Sequence, residues 1–311
     1  MKTFAMFAMA FCCTGCVIHF DGHDWDSRYK EDFRYTKPLS PGGRLSVEGN
    51  NGSIEIAGWD KDEVEISGTK WAISEDGLRD VKIVIDASAG SVSVRSVTPV
   101  YFGRSGVQYV IRAPRRVVLD RIHTSNGQVK ANDIEGAVRV HTSNGTVILT
   151  RVKGDVGVET TNGAVELREV RGDASVHTSN GRVTAEMMRG SLDARTTNGK
   201  VSADLTETGD KPVKISTSNG TIDLRIGAQP RSAVRVNTSN GAVTLRLPEN
   251  ANVRVDAHTS NSRVESDFAS VRHGDSGRHR DSERSASGQI GVGGPEVEVS
   301  TSHGRIRLLK L

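Results

Sequence analysis

Residues 138–149 read Val-Arg-Val-His-Thr-Ser-Asn-Gly-Thr-Val-Ile-Leu. Val138 and Val140 alternate with polar residues before the Asn-Gly pair, and Val147 and Leu149 resume the two-residue spacing after it. Apolar residues at every second position are typical of β-strands that bury one face. The stretch therefore predicts two short strands joined by a tight corner at Asn-Gly.

The same pattern recurs along most of the chain. Its asparagine returns four times after 18 residues and then three times after 21, and each copy has Thr-Ser or Thr-Thr before it. One copy buries too few side chains to fold alone, so the copies must stack around a shared core. The repeated asparagines are Asn126, Asn144, Asn162, Asn180, Asn198, Asn219, Asn240 and Asn261.

Two all-β folds accommodate this repeat. The first is a parallel β-solenoid, or β-helix, of 18–21-residue coils. The second is an antiparallel β-meander or barrel, because Asn-Gly between alternating strands is also a hairpin signal. The recurring Thr and Ser favour the solenoid, since stacked coils place each polar residue about 4.8 Å from its own copy. We expect Val158 to lie inside this stack, between Val140 and Val176.

The asparagines are expected to form a structural ladder along one edge of the stack. Side-chain amides both donate and accept hydrogen bonds, so identical amides one coil apart can bond in a row. Asn also tolerates the left-handed backbone of tight corners, and the glycine that follows seven of the eight asparagines adopts it without strain. The sequence therefore predicts left-handed corners at these positions.

The first residues are typical of an export signal. A short apolar run follows Lys2 and ends at Thr14-Gly15-Cys16; it is too short to span a bilayer but fits a signal peptide. Its end resembles the lipobox of bacterial lipoproteins, in which the cysteine is lipidated and becomes the new N-terminus, although Cys13 replaces the usual aliphatic residue. We expect a signal peptide at 1–15 and membrane anchoring through a lipid on Cys16. Val17 in place of the aspartate that marks inner-membrane retention favours the outer membrane.

The rest of the chain divides into three parts by composition. Residues 16–42 are polar and are expected to form a tether between the lipid and the folded domain. The β-solenoid domain is expected to span 43–311. Residues 267–292 interrupt its repeat with Arg and His among Asp, Ser and Gly, and this composition predicts a polar, mobile surface loop.

Several classes of function are excluded by the same composition. The formal net charge is only +3 and aromatic residues make up 5% of the chain, so we expect no nucleic-acid partner. We find no paired carboxylates at a fixed phase, no Ser-His-Asp set and no phosphate-binding loop. The sequence therefore predicts a protein that is not an enzyme and has no cofactor and no metal site.

Two tempting motifs are explained by the repeat. Histidines recur three residues before the asparagine, next to buried positions, and are expected to form a solvated polar row rather than a metal site. Arg171-Gly172-Asp173 spells an integrin-recognition tripeptide, but neighbouring copies have Lys-Gly-Asp and Arg-Gly-Ser at the same place. The histidines of the row are His123, His141, His177 and His258.

Three stretches resemble the bacterial family of putative adhesins designated domain of unknown function 4097. The opening Gly-Arg-Leu-Ser-Val-Glu-Gly-Asn-Asn-Gly-Ser-Ile-Glu-Ile-Ala-Gly-Trp-Asp at 43–60 resembles the start of that family, the Thr-Ser-Asn-Gly coils resemble its middle, and residues 293–306 its closing coil. The resemblance covers about residues 40–311. It implies a β-helical surface domain, exported or membrane-tethered, with no catalytic residues to carry over.

These observations predict a non-catalytic, exported cell-envelope lipoprotein whose polar ladders make multivalent contacts with a surface glycan or an envelope protein. A second hypothesis is a periplasmic binding or envelope-sensing protein that uses the 267–292 loop for recognition. A minor third is an enzyme that acts on polysaccharide, because some parallel β-helices have that activity.

Overall fold

The computed structural model describes residues 29–98, 105–273 and 283–311. The predicted signal peptide, Cys16 and residues 274–282 of the predicted loop lie outside the described residues. The helix is α1 (Glu75–Asp80). The strands of the first half are β1 (Tyr29–Pro38), β2 (Arg44–Glu48), β3 (Ile54–Trp59), β4 (Glu63–Ala72), β5 (Lys82–Ser88), β6 (Ser91–Val97), β7 (Ser105–Pro114), β8 (Val118–Asn126), β9 (Val129–Glu135), β10 (Val138–Asn144), β11 (Val147–Lys153), β12 (Val156–Thr160) and β13 (Val165–Arg171). The remaining strands are β14 (Ala174–Thr178), β15 (Val183–Arg189), β16 (Leu192–Thr196), β17 (Val201–Glu207), β18 (Val213–Thr217), β19 (Ile222–Ile226), β20 (Val234–Thr238), β21 (Val243–Leu247), β22 (Val253–Thr259), β23 (Val264–Ser266), β24 (Val271–His273), β25 (Ser285–Ile290), β26 (Glu296–Thr301) and β27 (Ile306–Lys310).

The strands belong to two sheets, and each coil contributes one strand to each. The first sheet has the order β1-β4-β7-β3-β9-β11-β13-β15-β17-β19-β21-β27-β23. The second sheet has the order β24-β25-β22-β26-β20-β18-β16-β14-β12-β10-β8-β2-β6-β5. Alternate residues of both sheets point into one hydrophobic core that runs the length of the stack.

Successive coils pair in parallel and in register, which confirms the parallel β-solenoid. Val158 lies opposite Val140 on one side and Val176 on the other, as the repeat predicted. The antiparallel meander or barrel is wrong for this chain, because consecutive repeats pair in parallel and neither sheet closes on itself in the described residues.

The order of coils departs from chain order at both ends of the stack. The coil of β2 and β3 lies between the later coil of β6 and β7 and that of β8 and β9. The last coil, β26 and β27, likewise lies between the coil of β20 and β21 and that of β22 and β23. All coils share one apolar phase, so the repeat alone does not specify which of them are neighbours.

Antiparallel strands cover both ends of the stack, and they correct two predicted boundaries. The predicted tether at 16–42 includes β1, which pairs with β4 along its whole length and packs Phe33 against the core. The predicted loop at 267–292 includes β24 and β25, which pair with each other, and β25 also pairs with β22. Phe268 and Ile290 of this segment are buried. Edge strands of a stack need cover, and these segments provide it.

The assignment of phase can be tested within one coil. Val158 is fully buried, whereas the side chain of Glu159 is 69% exposed. Val158→Asp would place an unpaired charge in the core, so we expect the free energy of unfolding to fall by about 3 kcal/mol or more. Glu159→Gln should change it by less than about 0.5 kcal/mol. Chemical denaturation of both variants measures this, and equal losses would contradict the assigned phase.

Candidate functional site

A row of asparagine amides runs along the corner where the chain passes from the second sheet to the first. Each Nδ2 donates to the Oδ1 of the asparagine in the neighbouring coil, at 2.7–2.9 Å. The seven bonds form one uninterrupted chain. Its members, in order, are Asn51, Asn126, Asn144, Asn162, Asn180, Asn198, Asn219 and Asn240.

The structure brings together seven of the eight predicted asparagines and leaves out the last. The inserted final coil places His303 at the level after Asn240, because the His303 backbone amide bonds to Ser239. Asn261 lies one level further, where its backbone amide bonds to Ser302. Asn51, a fainter copy of the repeat, joins the row instead and continues it to the carbonyl of Ser105.

The expected left-handed corners at the asparagines are wrong. Among the described residues, positive φ outside glycine occurs at four places, each seven residues after an asparagine of the row. The glycines after the predicted asparagines also lack positive φ; Gly52, after Asn51, is different and has φ +136. These glycines are needed for close approach, since a Cβ on Gly163 would lie 1.9 Å from the carbonyl oxygen of Gly145. The four left-handed residues are Asp133, Arg151, Glu169 and Met187.

Behind the asparagine row, a second row of threonines is buried. The hydroxyl of Thr178 donates to the carbonyl oxygen of Gly163 in the preceding coil at 3.2 Å, and Thr196 bonds to Gly181 in the same way at 3.1 Å. The corner is therefore tied between coils by a buried hydroxyl as well as by an exposed amide. Thr217 and Thr238 bond to the preceding coil in the same way, whereas the buried hydroxyls of Thr142 and Thr160 have no hydrogen-bond partner within the described residues.

Exposed hydroxyls line the outer side of the asparagine row. Thr161, Ser179 and Thr197 each precede an asparagine and are exposed. Their side chains make no hydrogen bond within the described part of the chain. We call these three residues the hydroxyl row. It repeats one donor and acceptor group at successive coils, about 4.8 Å apart.

The outer face of the second sheet has a shallow depression of about 370 Å³. Gly157 lies between Arg139 and Ser175 in adjacent coils, and the missing side chain at Gly157 opens the depression. Arg139 offers donors at its rim and Glu159 offers acceptors. Such a mixture suits a ligand rich in hydroxyl groups.

Of the four histidines in the predicted row, His141 and His177 line this depression. The rings of His123 and His141 stack with centroids 5.2 Å apart, and the Nδ1 of His141 lies 3.4 Å from the Oε2 of Glu159. Partial burial lowers the pKa of His123, and His141 lowers it further. His177 lies two coils beyond His141, with Glu159 between them, and His258 pairs with Ser300 far along the stack. No group of three or more His, Cys, Asp or Glu converges as a metal site in the described residues.

The aspartate of the Arg-Gly-Asp tripeptide is engaged within the stack. Its Oδ1 accepts a bond from the Ser191 backbone amide at 2.9 Å, and its Oδ2 lies 3.0 Å from the Nζ of Lys211. Burial alone would raise the pKa of Asp173, but the bonds from Ser191 and Lys211 outweigh burial, so the net shift of the pKa is downward. Gly172 has φ +149, as its copy in the preceding coil has +150. The tripeptide is thus a corner of the repeat.

These features define a parallel β-solenoid with polar rows repeated from coil to coil. The chain belongs to the Toastrack family, the domain of unknown function DUF4097, which matches residues 40–309. A comparison with curated proteins found no match. None of the described residues forms a helix with the length and apolar character needed to span a bilayer.

Three crystal structures are similar to the chain at low identity. A "putative adhesin" from Bacteroides fragilis NCTC 9343 is 12% identical with a TM-score of 0.43, covering 90% of this chain and 97% of its own. A "putative cell adhesion protein" from Clostridium sporogenes ATCC 15579 is 13% identical with a TM-score of 0.22, covering 90% and 100%. A "putative lipid binding protein" from Parabacteroides distasonis ATCC 8503 is 12% identical with a TM-score of 0.34, covering 89% and 96%.

The asparagine row predicts a difference between two identical substitutions. Asn162 bonds to a neighbour on each side, so Asn162→Ala should lower the free energy of unfolding by about 1–2 kcal/mol. Asn261 lies outside the row, so Asn261→Ala should lower it by less than about 0.5 kcal/mol. Unfolding midpoints in urea measure both effects, and matching midpoints would refute a stabilising role for the row.

The close approach at the corner predicts a second difference, again within one coil. Gly163→Ala forces a methyl group onto a carbonyl oxygen and should lower the free energy of unfolding by about 2 kcal/mol or more. Gly157→Ala is its control, because the nearest atom to the added Cβ would be the Arg139 Cγ at 3.9 Å. The control should be neutral or slightly stabilising. Thermal melts compare the two, and a tolerated Gly163→Ala would show that the corner can open.

Proposed function

We propose that this protein is a non-catalytic, exported component of the bacterial cell envelope that makes multivalent contacts with a surface glycan. The hydroxyl row beside the asparagine row carries this proposal. Thr161, Ser179 and Thr197 are exposed, their hydroxyls make no hydrogen bond within the described residues, and they repeat at the spacing of the coils. A rigid array of identical weak contacts suits a repetitive polymer, because linked contacts reinforce one another.

The anchoring part of the proposal rests on the sequence. Cys16 ends a segment with the features of a lipoprotein signal, and a lipid there would tether the rod to a membrane, with the outer membrane preferred. Many tethered copies on one surface would then face the same glycan. Weak single contacts would add up to firm attachment without any new contact at the site.

A periplasmic binding or envelope-sensing role is the second candidate. One observation favours it: a depression of about 270 Å³ lies beside Asn261 and Arg263, next to the segment that connects β24 and β25. Strands β24 and β25 lie at one end of the second sheet. Deleting residues 274–282 separates the candidates, because contacts of the hydroxyl row should survive the deletion and recognition by the segment should not.

One experiment tests both the anchor and the row. The full chain is expressed in a Gram-negative host, recovered in vesicles, and applied to a glycan array beside its Cys16→Ser variant. We expect the wild type to partition into detergent and to bind a glycan, and the variant to be soluble and to bind at least tenfold more weakly through loss of avidity. Replacing the hydroxyl row by Ala at all three positions should abolish binding and leave the melting temperature within a few degrees.

The matched control replaces three exposed hydroxyls near the ends of the stack, Thr36, Ser91 and Ser270, by Ala. This control should bind as the wild type does. Retained binding after loss of the hydroxyl row, or no binding of any glycan by the vesicle-borne wild type, would refute the proposal. An unmodified and fully soluble wild type would refute the lipid anchor alone.

A further inference from the structure

A row of three cations lies at the second corner of the coil, opposite the asparagine row. Lys153, Arg171 and Arg189 end strands β11, β13 and β15 and pair with one another in register. Parallel pairing places them about 4.8 Å apart. All three are exposed. We call them the cationic row.

Only the outer two cations of the row are neutralised. The Nζ of Lys153 lies 2.6 Å from the Oε1 of Glu135, and the Nη1 of Arg189 lies 3.7 Å from the Oε1 of Glu207. The guanidinium of Arg171, between them, has no ion pair or hydrogen bond within the described part of the chain. Like charges on neighbouring strands destabilise a sheet. The centre of the row therefore holds a positive charge that the fold itself does not need.

Backbone strain keeps this row facing outwards. In β13 the residue before Val170, Glu169, has φ 54, and the same position in β15, Met187, has φ 52. A left-handed non-glycine residue costs about 1–2 kcal/mol. The extra residue lets two consecutive side chains, Arg168 and Glu169, face solvent, so that Val170 returns to the core and Arg171 points out.

The cationic row lines a depression of about 440 Å³. Arg115 and Arg151 also line it, and both already bond to acidic residues, Arg151 to Asp133 through two bonds at 2.7 and 2.8 Å. Five cations and three carboxylates line this depression, the acids being Asp133, Glu135 and Glu169. Arg171 is the one cation of the five without an ion pair within the described residues. A guanidinium binds carboxylates through two parallel hydrogen bonds.

We propose that the cationic row binds the carboxylates of a linear acidic polysaccharide, with one carboxylate on Arg171. A polyuronate, the simplest polymer of this class, has one carboxylate on each sugar, so its charges recur along a line as the row does. The depression has no aromatic lining residue for base stacking, which disfavours a nucleic acid. This inference rests on the proposed function, because it names the class of glycan, but it assigns a different corner of the coil.

The test uses the full chain in vesicles with two forms of one polymer. Polygalacturonate carries the charges, and fully methyl-esterified polygalacturonate lacks them. We expect binding of the charged form only, weakening as sodium chloride rises, because exposed charges are screened. Arg171→Glu should reduce the affinity at least tenfold, and Arg171→Ala should reduce it less. Both variants should melt as the wild type does, since Arg171 has no partner to lose.

The matched control is Arg182→Glu, the same charge change at the asparagine corner of the next coil. It should leave polygalacturonate affinity within twofold of the wild type. Equal affinity of Arg171→Glu and the wild type would overturn the inference, as would equally tight binding of single-stranded DNA that is equally sensitive to Arg171→Glu. If either result is obtained and the hydroxyl row still binds a neutral glycan, the assignment of the cationic row fails and the proposed function stands.

Discussion

Parallel stacking of coils at hydrogen-bonding distance is the constraint on which the rest of this molecule depends. Each coil lies about 4.8 Å from the next, so whatever occurs at one position of the repeat meets its own copy twice. At the first corner the backbones approach so closely that only glycine fits. A residue that contacts its own copy in the next coil must therefore be compatible with it. It can be an amide that both donates and accepts a hydrogen bond, a small apolar side chain, or glycine.

That constraint also decides what the surface can offer. Side chains that cannot bond to their own copies must be balanced by the coils on either side, as Arg151 is by Asp133. The two corners of the coil resolve this differently. At the first corner the neutral asparagine amides hydrogen-bond to one another in an unbroken chain. The hydroxyls of the hydroxyl row remain exposed to solvent. At the second corner three cations in successive coils lie between Glu135 and Glu207, so the middle cation, Arg171, has no acidic neighbour in register.

The interior of the stack could be predicted from the sequence because it follows the two-residue period. Val140, Val158 and Val176 were assigned correctly, since any shift of one residue would turn them to solvent. The left-handed residues were missed because Asp133 and Met187 give no signal of the kind that glycine gives. The polar sequence of β1 predicts a tether rather than a strand. Its packing contact with the core is made by Phe33. The candidate surfaces were only partly predictable: the asparagines recur visibly, whereas the isolation of Arg171 depends on which coils carry Glu135 and Glu207.

At the ends of the stack, the order of the coils in space differs from their order along the chain. In a solenoid wound in simple order, the last coil made is also the outermost, and thermal fraying begins there. Here the coil of β26 and β27 is hydrogen-bonded on both sides, to β20 and β21 and to β22 and β23. Peeling it away breaks two sets of backbone bonds rather than one. The stack can therefore be completed only after residues 296–310 have been synthesised, and the coil that they form is not an end of the stack.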